Sequence, residues 1–169
     1  MPSSNIKITK VVVSMGIGAA SQDKKLIEPA SRDLTVITGQ KPKVTRARRA
    51  IAEFKLRAGA PIGLVVTLRG RRMEAFLTKL FRIVLPRLRD FRGVPTKGFD
   101  GHGNYNLGLA EQVVFSEIDS SQVRQTRGLQ VTIVTDTNSD QAARDYLKKM
   151  GMPFEKEAPS AKATGGHHG

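Results

Sequence analysis

The chain has 169 residues, with 28 Lys and Arg against 15 Asp and Glu, and it contains no cysteine and no tryptophan. This length is typical of one domain with a single core. The lack of cysteine excludes disulfides, thiolate zinc sites and cysteine nucleophiles. No apolar run approaches the length that spans a bilayer and no signal-type apolar segment opens the chain, so we expect a cytoplasmic protein without a membrane partner.

The positive charge is concentrated in the middle of the chain. Between Lys41 and Arg92, fifteen Lys and Arg residues oppose three acids, which is a net charge of about +12 out of a total of +13. A local basic excess favours a surface that binds a polyanion, most often a nucleic acid, over a solvated surface without a dedicated partner. Because aromatic residues make up only 5% of the chain, recognition of backbone and shape is favoured over base stacking.

The first predicted elements are a strand and a helix. Residues 6–15 alternate in hydrophobicity and predict a strand. Ser21 is a candidate N-cap for a helix that runs to Thr38 and ends at Gly39. Pro29 lies inside this segment, so either the first turn is kinked or the regular helix begins there.

A second strand and a second helix follow. Residues 61–70 alternate between apolar and mixed-polar positions, which predicts a strand with one buried face. Apolar residues at helical spacing predict a helix over residues 71–85 that Pro86 ends. Four glycines and a proline within residues 91–104 then predict a long irregular loop.

The second half is predicted to consist mostly of strands. Hydrophobic alternation indicates strands at residues 104–109 and 129–135, with a further short strand at 112–115. Ser139 is a candidate N-cap for a last helix, which Gly151 ends.

This order of elements, with short connections in the second half, favours an α+β fold with a mostly antiparallel sheet and helices on one face. We expect residues 1–154 to form one domain and residues 155–169 to be a disordered tail. The uncovered face of the sheet would present amides, hydroxyls and cations, which suit a ribose-phosphate backbone. These side chains are Lys10, Ser14, Thr67, Arg69, Asn104, Asn106, Gln130 and Thr132.

The densest charge run lies between the first helix and the second strand. It includes Arg46, Arg48 and Arg49, and glycines flank it on both sides. Like charges at this spacing repel one another and need an external anion to offset them. This favours a projecting arm that lies along RNA phosphates over an exposed helix at residues 46–57 with Phe54 buried.

No pattern in the chain indicates catalysis. Residues 16–18 imitate the start of a dinucleotide-binding loop, but the third glycine is missing, so a tight turn is favoured. His102 has no Ser or Asp orienter at motif spacing, and we expect Asp100 to brace the loop around it. His167 and His168 are adjacent and form a poor metal site. We predict no catalytic residue, no metal and no cofactor.

Several stretches, in order along residues 6–154, together resemble one family. They are Ile37-Thr-Gly-Gln-Lys-Pro42, Phe54-Lys-Leu-Arg57, Pro61-Ile-Gly63, Val66-Thr-Leu-Arg-Gly70, Leu85-Pro-Arg-Leu-Arg-Asp-Phe-Arg-Gly93, Phe99-Asp-Gly-His-Gly-Asn-Tyr-Asn-Leu-Gly108, Arg127-Gly-Leu129 and Gly151-Met-Pro-Phe154. On these residues the chain is similar to the family of bacterial large-subunit ribosomal protein number five, which binds 5S rRNA.

The resemblance implies an α+β fold whose concave sheet face grips 5S rRNA, with the complex docked into the central protuberance beside 23S rRNA. The family's 5S-contacting positions match Gln40, Thr67 and Ser14, although relatives usually have Asn at the last of these. With the cations and amides of the open face, the expected rRNA-binding residues are Lys10, Ser14, Gln40, Lys41, Thr67, Arg69, Asn104 and Asn106.

The resemblance implies two further contacts. The family's loop near P-site tRNA matches an arm over residues 45–54, and its glycine-rich region, which faces a small-subunit head protein, matches residues 91–106. The expected tRNA-contacting residues are Thr45, Arg46, Arg48, Arg49 and Phe54. The helical segment that opens relatives has no counterpart before Ile6, and the tail after Lys156 extends past their usual end.

Three functions are therefore compared. The first is a structural rRNA-binding protein of the large ribosomal subunit, which is not an enzyme. The second is a nucleotide-dependent enzyme built around residues 16–18, and the third is a free-standing nucleic-acid chaperone that uses the basic arm alone. The missing catalytic constellation disfavours the enzyme, and a defined core beside localised charge disfavours the chaperone.

Overall fold

The computed structural model describes residues 5–21, 23–50, 57–88, 91–123 and 125–155. Within these ranges it contains five strands and three α-helices. In chain order they are β1 (Ile8–Gly16), α1 (Ile27–Thr38), β2 (Lys43–Arg46), β3 (Pro61–Leu68), α2 (Gly70–Lys79), β4 (Tyr105–Leu109), β5 (Leu129–Thr135) and α3 (Asp140–Lys149).

The five strands form one sheet in the order β2-β3-β1-β5-β4, and every pairing in it is antiparallel. The first strand, β1, is central. Its residue Val12 lies opposite Thr67 of β3 and Thr132 of β5. The sheet and its three helices confirm the predicted α+β fold.

The two faces of the sheet differ in burial. On one face the strand residues are almost all buried, and they join the apolar sides of the helices in a single core, because alternate strand residues point the same way. On the other face, most of the intervening residues of β1, β3 and β5 are half-buried or exposed, and only Pro61 and Gly63 at the start of β3 are buried. The core includes Val11, Val13, Met15, Leu64, Val66, Leu68, Val131 and Ile133 from the strands, with Leu34, Ile37, Phe76, Leu77 and Leu147 from the helices.

The start of α1 differs from the prediction. Asp23, not Ser21, is the capping residue: its carboxylate accepts a hydrogen bond from the Lys25 amide at 3.0 Å and opens a short 3-10 turn. The α-helix begins at Ile27. Pro29 falls in its first turn, where a missing N–H costs no helical bond. Gly39 ends the helix with φ 74°, as predicted.

The end of the second helix also differs from the prediction. The regular helix α2 ends at Lys79, and a wide π-turn (Leu80–Val84) and a 3-10 turn (Leu85–Arg87) carry the chain past Pro86. A proline ring clashes with the carbonyl four residues before it in an α-helix. The wider turn avoids this clash. In it the Leu85 amide donates to the Leu80 carbonyl, five residues back, and not to the carbonyl four residues back as in an α-helix.

The prediction of a strand at residues 112–115 is wrong, because these residues form a 3-10 turn (Gln112–Val114). The Gln112 side chain is buried and links this turn to the segment before β5. Its Oε1 accepts from the Arg127 amide at 2.6 Å, and its Nε2 donates to the Gln125 carbonyl at 2.9 Å. These bonds take the place of a strand ladder.

The segment at residues 91–104 is irregular, as predicted, except for one 3-10 turn (Thr96–Gly98). The end of the described chain fixes it, since the Val94 amide donates to Pro153 O at 2.8 Å and the Glu155 amide donates to Val94 O at 2.9 Å. Residues 156–169, which make up almost all of the predicted tail, lie outside the described residues. No helix in the described ranges is long and apolar enough to cross a membrane.

Candidate nucleic-acid interface

The side of the sheet that the described helices leave uncovered, called the open face below, arranges its side chains in rows across the strands. With neighbouring strands about 4.8 Å apart, a row across all five strands is about 19 Å long. One such row contains Lys43, Val65, Ser14, Gln130 and Gly108, and the adjacent row contains Thr67, Val12, Thr132 and Asn106.

Two hydroxyl groups on the open face are available to a partner. Ser14 and Thr67 are half-buried, and neither hydroxyl hydrogen-bonds to another described residue. Val12 and Val65 lie beside them in the two rows. The centre of the open face therefore combines available hydroxyls with small apolar side chains, and Lys10 is half-buried on the same face.

Gln40 is fixed at the edge of this face by its position just after α1. Its Nε2 donates to the Thr67 carbonyl at 3.2 Å, and its Oε1 accepts from Arg72 Nη1 at 3.4 Å. The fold therefore brings together Gln40 and Thr67, which are far apart in the sequence. Lys41, the next residue, is exposed.

Three arginines surround the start of α2. Arg69, Arg71 and Arg72 are exposed, and the first turn of the helix contains no acidic residue and no side-chain cap. The unpaired amides of a helix start attract anions. The junction of β3 and α2 therefore adds positive potential to the end of the open face that contains Gln40.

The two predicted asparagine contacts have different surroundings. Asn104 is engaged within the loop: its Nδ2 donates to Asp100 Oδ2 at 2.8 Å, and its Oδ1 accepts from the Thr135 amide at 3.3 Å. Asn106 is exposed on the open face. The fold thus places Asn106 on the open face and uses Asn104 to brace the loop.

Asp100 organises that loop, as the sequence predicted. Its Oδ1 accepts from the amides of His102 at 2.8 Å and Asn104 at 3.2 Å. The hydrogen bond from the Asn104 side chain, followed by that from the His102 amide, lowers the pKa of Asp100 below its ordinary value. His102 takes part through its backbone amide.

Asp140 gives the loop a second brace that the sequence did not reveal. Its carboxylate accepts from the amides of Gly101 at 2.9 Å and Gly103 at 2.8 Å, and it lies in the first turn of α3. Both glycines have positive φ, at 87° and 82°. A carboxylate 37 residues away along the chain cannot be assigned to this loop from the sequence alone.

The base of the predicted arm is a β-hairpin of β2 and β3. The pairing continues beyond Arg46, because the Ala47 amide donates to Ala60 O at 2.9 Å and the Gly59 amide donates to Ala47 O at 2.8 Å. Arg46 Nη1 also donates to Gly59 O at 3.1 Å. Strand β2 was not predicted from the sequence. Its last residue, Arg46, is where the exposed helix considered as an alternative at residues 46–57 would have begun, so a strand takes the place of the start of that helix.

The predicted tRNA-contacting residues fall on different parts of this hairpin. Thr45 is half-buried opposite Gly63, whereas Arg48 and Arg49 are exposed beyond the strand. Phe54 lies outside the described residues.

Among the described residues, no group of three or more His, Asp and Glu side chains could hold a metal ion.

An open polar sheet face with cations at its edge and a basic hairpin define a nucleic-acid-binding protein.

Comparison with known proteins identifies the family. Residues 2–57 match the family described as ribosomal protein L5, and residues 61–154 match the model for the C-terminus of the same ribosomal family. The chain belongs to the ribosomal L5 family, as the sequence resemblance indicated.

Three relatives, each a large ribosomal subunit protein uL5, show the extent of the similarity. The protein from Bifidobacterium adolescentis is 54% identical over 155 residues, covering 92% of this chain and 82% of the relative. That from Macrococcus caseolyticus is 55% identical over 150 residues, covering 89% and 84%. That from Streptomyces coelicolor is 55% identical over 149 residues, covering 88% and 80%.

Family membership decides the class of function. The chain is a structural, rRNA-binding constituent of the large ribosomal subunit and not an enzyme. The first of the three functions compared from the sequence is therefore confirmed, and the nucleotide-dependent enzyme is ruled out.

Proposed function

We propose that the open face binds 5S rRNA and helps to dock it into the central protuberance beside 23S rRNA. One observation carries the proposal: rows of hydroxyls, amides and cations lie in register across the open face, while the helices cover the opposite side. A protein that used its helices to bind RNA would have no reason to keep this face polar and uncovered.

The chemistry of the open face suits an RNA duplex. A-form RNA displays 2′-hydroxyls and base edges in a wide, shallow minor groove, and proteins recognise it mainly by shape and backbone. The hydroxyls of Ser14 and Thr67 can pair with ribose groups. Lys10, Lys41 and Arg69 lie nearer the ends of the strands, where they can contact phosphates.

We further propose that the hairpin arm contacts P-site tRNA and that the glycine-rich region at residues 91–106 contacts a small-subunit head protein. The support is the family resemblance together with the sheet order. Strand β2 of the hairpin is one edge of the sheet, and β4, which follows the glycine-rich loop, is the other edge. The two elements can therefore serve partners on opposite sides of the bound 5S rRNA.

The first prediction tests the open face through one hydroxyl. Thr67→Val removes a hydroxyl that has no partner among the described residues and keeps the shape of the side chain. We expect 5S rRNA affinity to fall about fivefold, the effect of one hydrogen bond of about 1 kcal/mol. A gel shift against 5S rRNA, with an unrelated structured RNA of similar length as competitor, measures this.

The matched control is Thr78→Val on α2, where the side chain is exposed and its hydroxyl bonds, within the described ranges, to the Glu74 carbonyl of the same helix alone. It should leave 5S rRNA affinity unchanged. If Thr67→Val also left the affinity and the melting temperature unchanged, the RNA would bind elsewhere on the protein.

A further inference from the structure

We propose that Asn106 offers its Nδ2 group as an oriented hydrogen-bond donor to an acceptor atom of the RNA, and that Thr132 and Gln130 are positioning residues that hold its amide. The inference rests on the proposed function of the open face. It names a specific contact there and the chemistry of the group that the contact recognises.

Two donors converge on one end of the Asn106 amide. Thr132 Oγ1 donates to Asn106 Oδ1 at 2.8 Å, and Gln130 Nε2 donates to the same oxygen at 3.3 Å. An asparagine amide has an acceptor end and a donor end. With the oxygen engaged twice, Nδ2 makes no hydrogen bond to another described residue, and the Asn106 side chain is exposed.

The sheet register explains why both donors reach Asn106. Thr132 lies directly opposite it, whereas Gln130 lies opposite Gly108. Because Gly108 has no side chain, Gln130 has no cross-strand side-chain partner on β4 and turns to its diagonal neighbour, which long side chains can reach. The φ of Gly108 is not in the positive range that favours glycine, and a Cβ built there would have no atom within 4 Å. Neither backbone conformation nor crowding therefore requires a glycine at this position.

Asn104 provides a contrast within the same segment. Both ends of its amide are engaged, with Asp100 Oδ2 and with the Thr135 amide. Of the two asparagines predicted to contact rRNA, Asn106 is therefore the one whose Nδ2 group has no partner among the described residues.

The orientation of the amide determines what it recognises. An outward NH₂ group pairs with an acceptor that has no proton of its own to donate, such as a phosphate oxygen or a base-edge acceptor in the minor groove. An outward carboxylate of the same shape would repel every one of these groups. Asn106→Asp is therefore a more informative substitution than Asn106→Ala, because it changes the sign of the interaction and keeps its geometry.

The first part of the test measures 5S rRNA affinity for these two variants. We expect Asn106→Ala to weaken binding about fivefold and Asn106→Asp by about tenfold or more. Asn138→Ala is the control: Asn138 is exposed between β5 and α3, and its substitution should leave the affinity within about twofold. Wild-type affinity in Asn106→Asp would overturn the proposal, since it would mean that no acceptor faces this amide.

The second part tests positioning with a double-mutant cycle. Thr132→Val should weaken 5S rRNA binding about threefold in the wild type and have no effect in the Asn106→Ala background, because Thr132 acts only through Asn106. Equal losses in both backgrounds would show that Thr132 contacts the RNA itself, which overturns the positioning role. If the wild-type protein bound 5S rRNA no better than an unrelated RNA, the proposed function itself would fall, so the two failures are distinguishable.

Discussion

Not every cation of the basic segment at residues 41–92 is available to RNA. Lys79 is held within the fold, where its Nζ donates to the Ile37 carbonyl at 2.6 Å and pairs with Glu117 Oε1 at 2.9 Å. The same Nζ lies 5.8 Å and 5.5 Å from the ring centroids of Phe76 and Phe115. This lysine joins the end of α1 to α2 and to the loop before β5.

The second prediction follows from this role. Lys79→Met keeps the aliphatic stem over the rings and removes the charge, which leaves the Ile37 carbonyl and Glu117 without their partner. The Lys79 side chain is 20% exposed, so we expect a loss of about 1–2 kcal/mol in the free energy of unfolding, measured by urea denaturation. Lys149→Met, on the exposed side of α3, should change stability by less than about 0.5 kcal/mol.

Individual side chains also show the limits of prediction from sequence. Strand alternation correctly separated the buried face of β1 from the face with Lys10 and Ser14. It placed Asn104 and Asn106 on the same face and could not tell them apart. Their difference depends on Asp100 and on the Thr135 amide of another strand, and only the tertiary fold brings this amide to Asn104.

Secondary-structure elements were best predicted where local signals determine them. Strand β5 and the start of α3 at its Ser139 cap were correct because alternation and capping are local properties. Strand β2 was missed, since its four polar-rich residues form a strand only by pairing with β3. The π-turn before Pro86 was missed for a similar reason. Core packing keeps the chain in helical turns past Pro86, although a proline usually ends a helix.

The third prediction concerns the hairpin arm. Arg48→Ala with Arg49→Ala removes two exposed cations and keeps Arg46, whose guanidinium braces the hairpin. We expect 5S rRNA binding to stay within about threefold, a change below about 1 kcal/mol. Ribosomes with the variant should assemble but hold P-site tRNA less firmly, as measured by tRNA dissociation.

A variant with the same loss of charge controls for electrostatics in general. Lys148→Ala with Lys149→Ala on α3 removes two exposed cations away from the hairpin, and it should leave P-site tRNA retention unchanged. Loss of 5S rRNA binding in the arm variant would assign the arm to the primary RNA site and contradict the proposed division between arm and open face.

At the scale of the whole molecule, sheet order arranges the charge. The basic segment supplies both the hairpin at one edge and the cations near the ends of the strands, while the helices cover the remaining side of the sheet. Composition alone predicted a local polyanion-binding surface. It could not predict that β2 and β4 would form opposite edges, because this order depends on long-range pairing of β1 with β3 and β5.

The fourth prediction is the salt dependence of 5S rRNA binding. Each phosphate contact by a cation such as Lys10, Lys41 or Arg69 should contribute roughly 0.7 to 0.9 to the slope of log affinity against log salt. Three contacts predict a total slope of about 2 to 3, measured by filter binding at several salt concentrations. A flat response from low to physiological ionic strength would show that phosphate neutralisation does not drive the binding.

The most direct test of RNA binding by the open face places the same carboxylate on each side of the sheet. Val12→Glu introduces a negative charge at the centre of the open face, between Thr67 and Thr132, whereas Val36→Glu introduces it on α1, where Val36 is 50% exposed. With circular dichroism confirming that both variants fold, titration against 5S rRNA should show at least about a tenfold loss for Val12→Glu, or about 1.4 kcal/mol, and less than a twofold loss for Val36→Glu. Equal affinities for the two variants would show that 5S rRNA does not bind the open face.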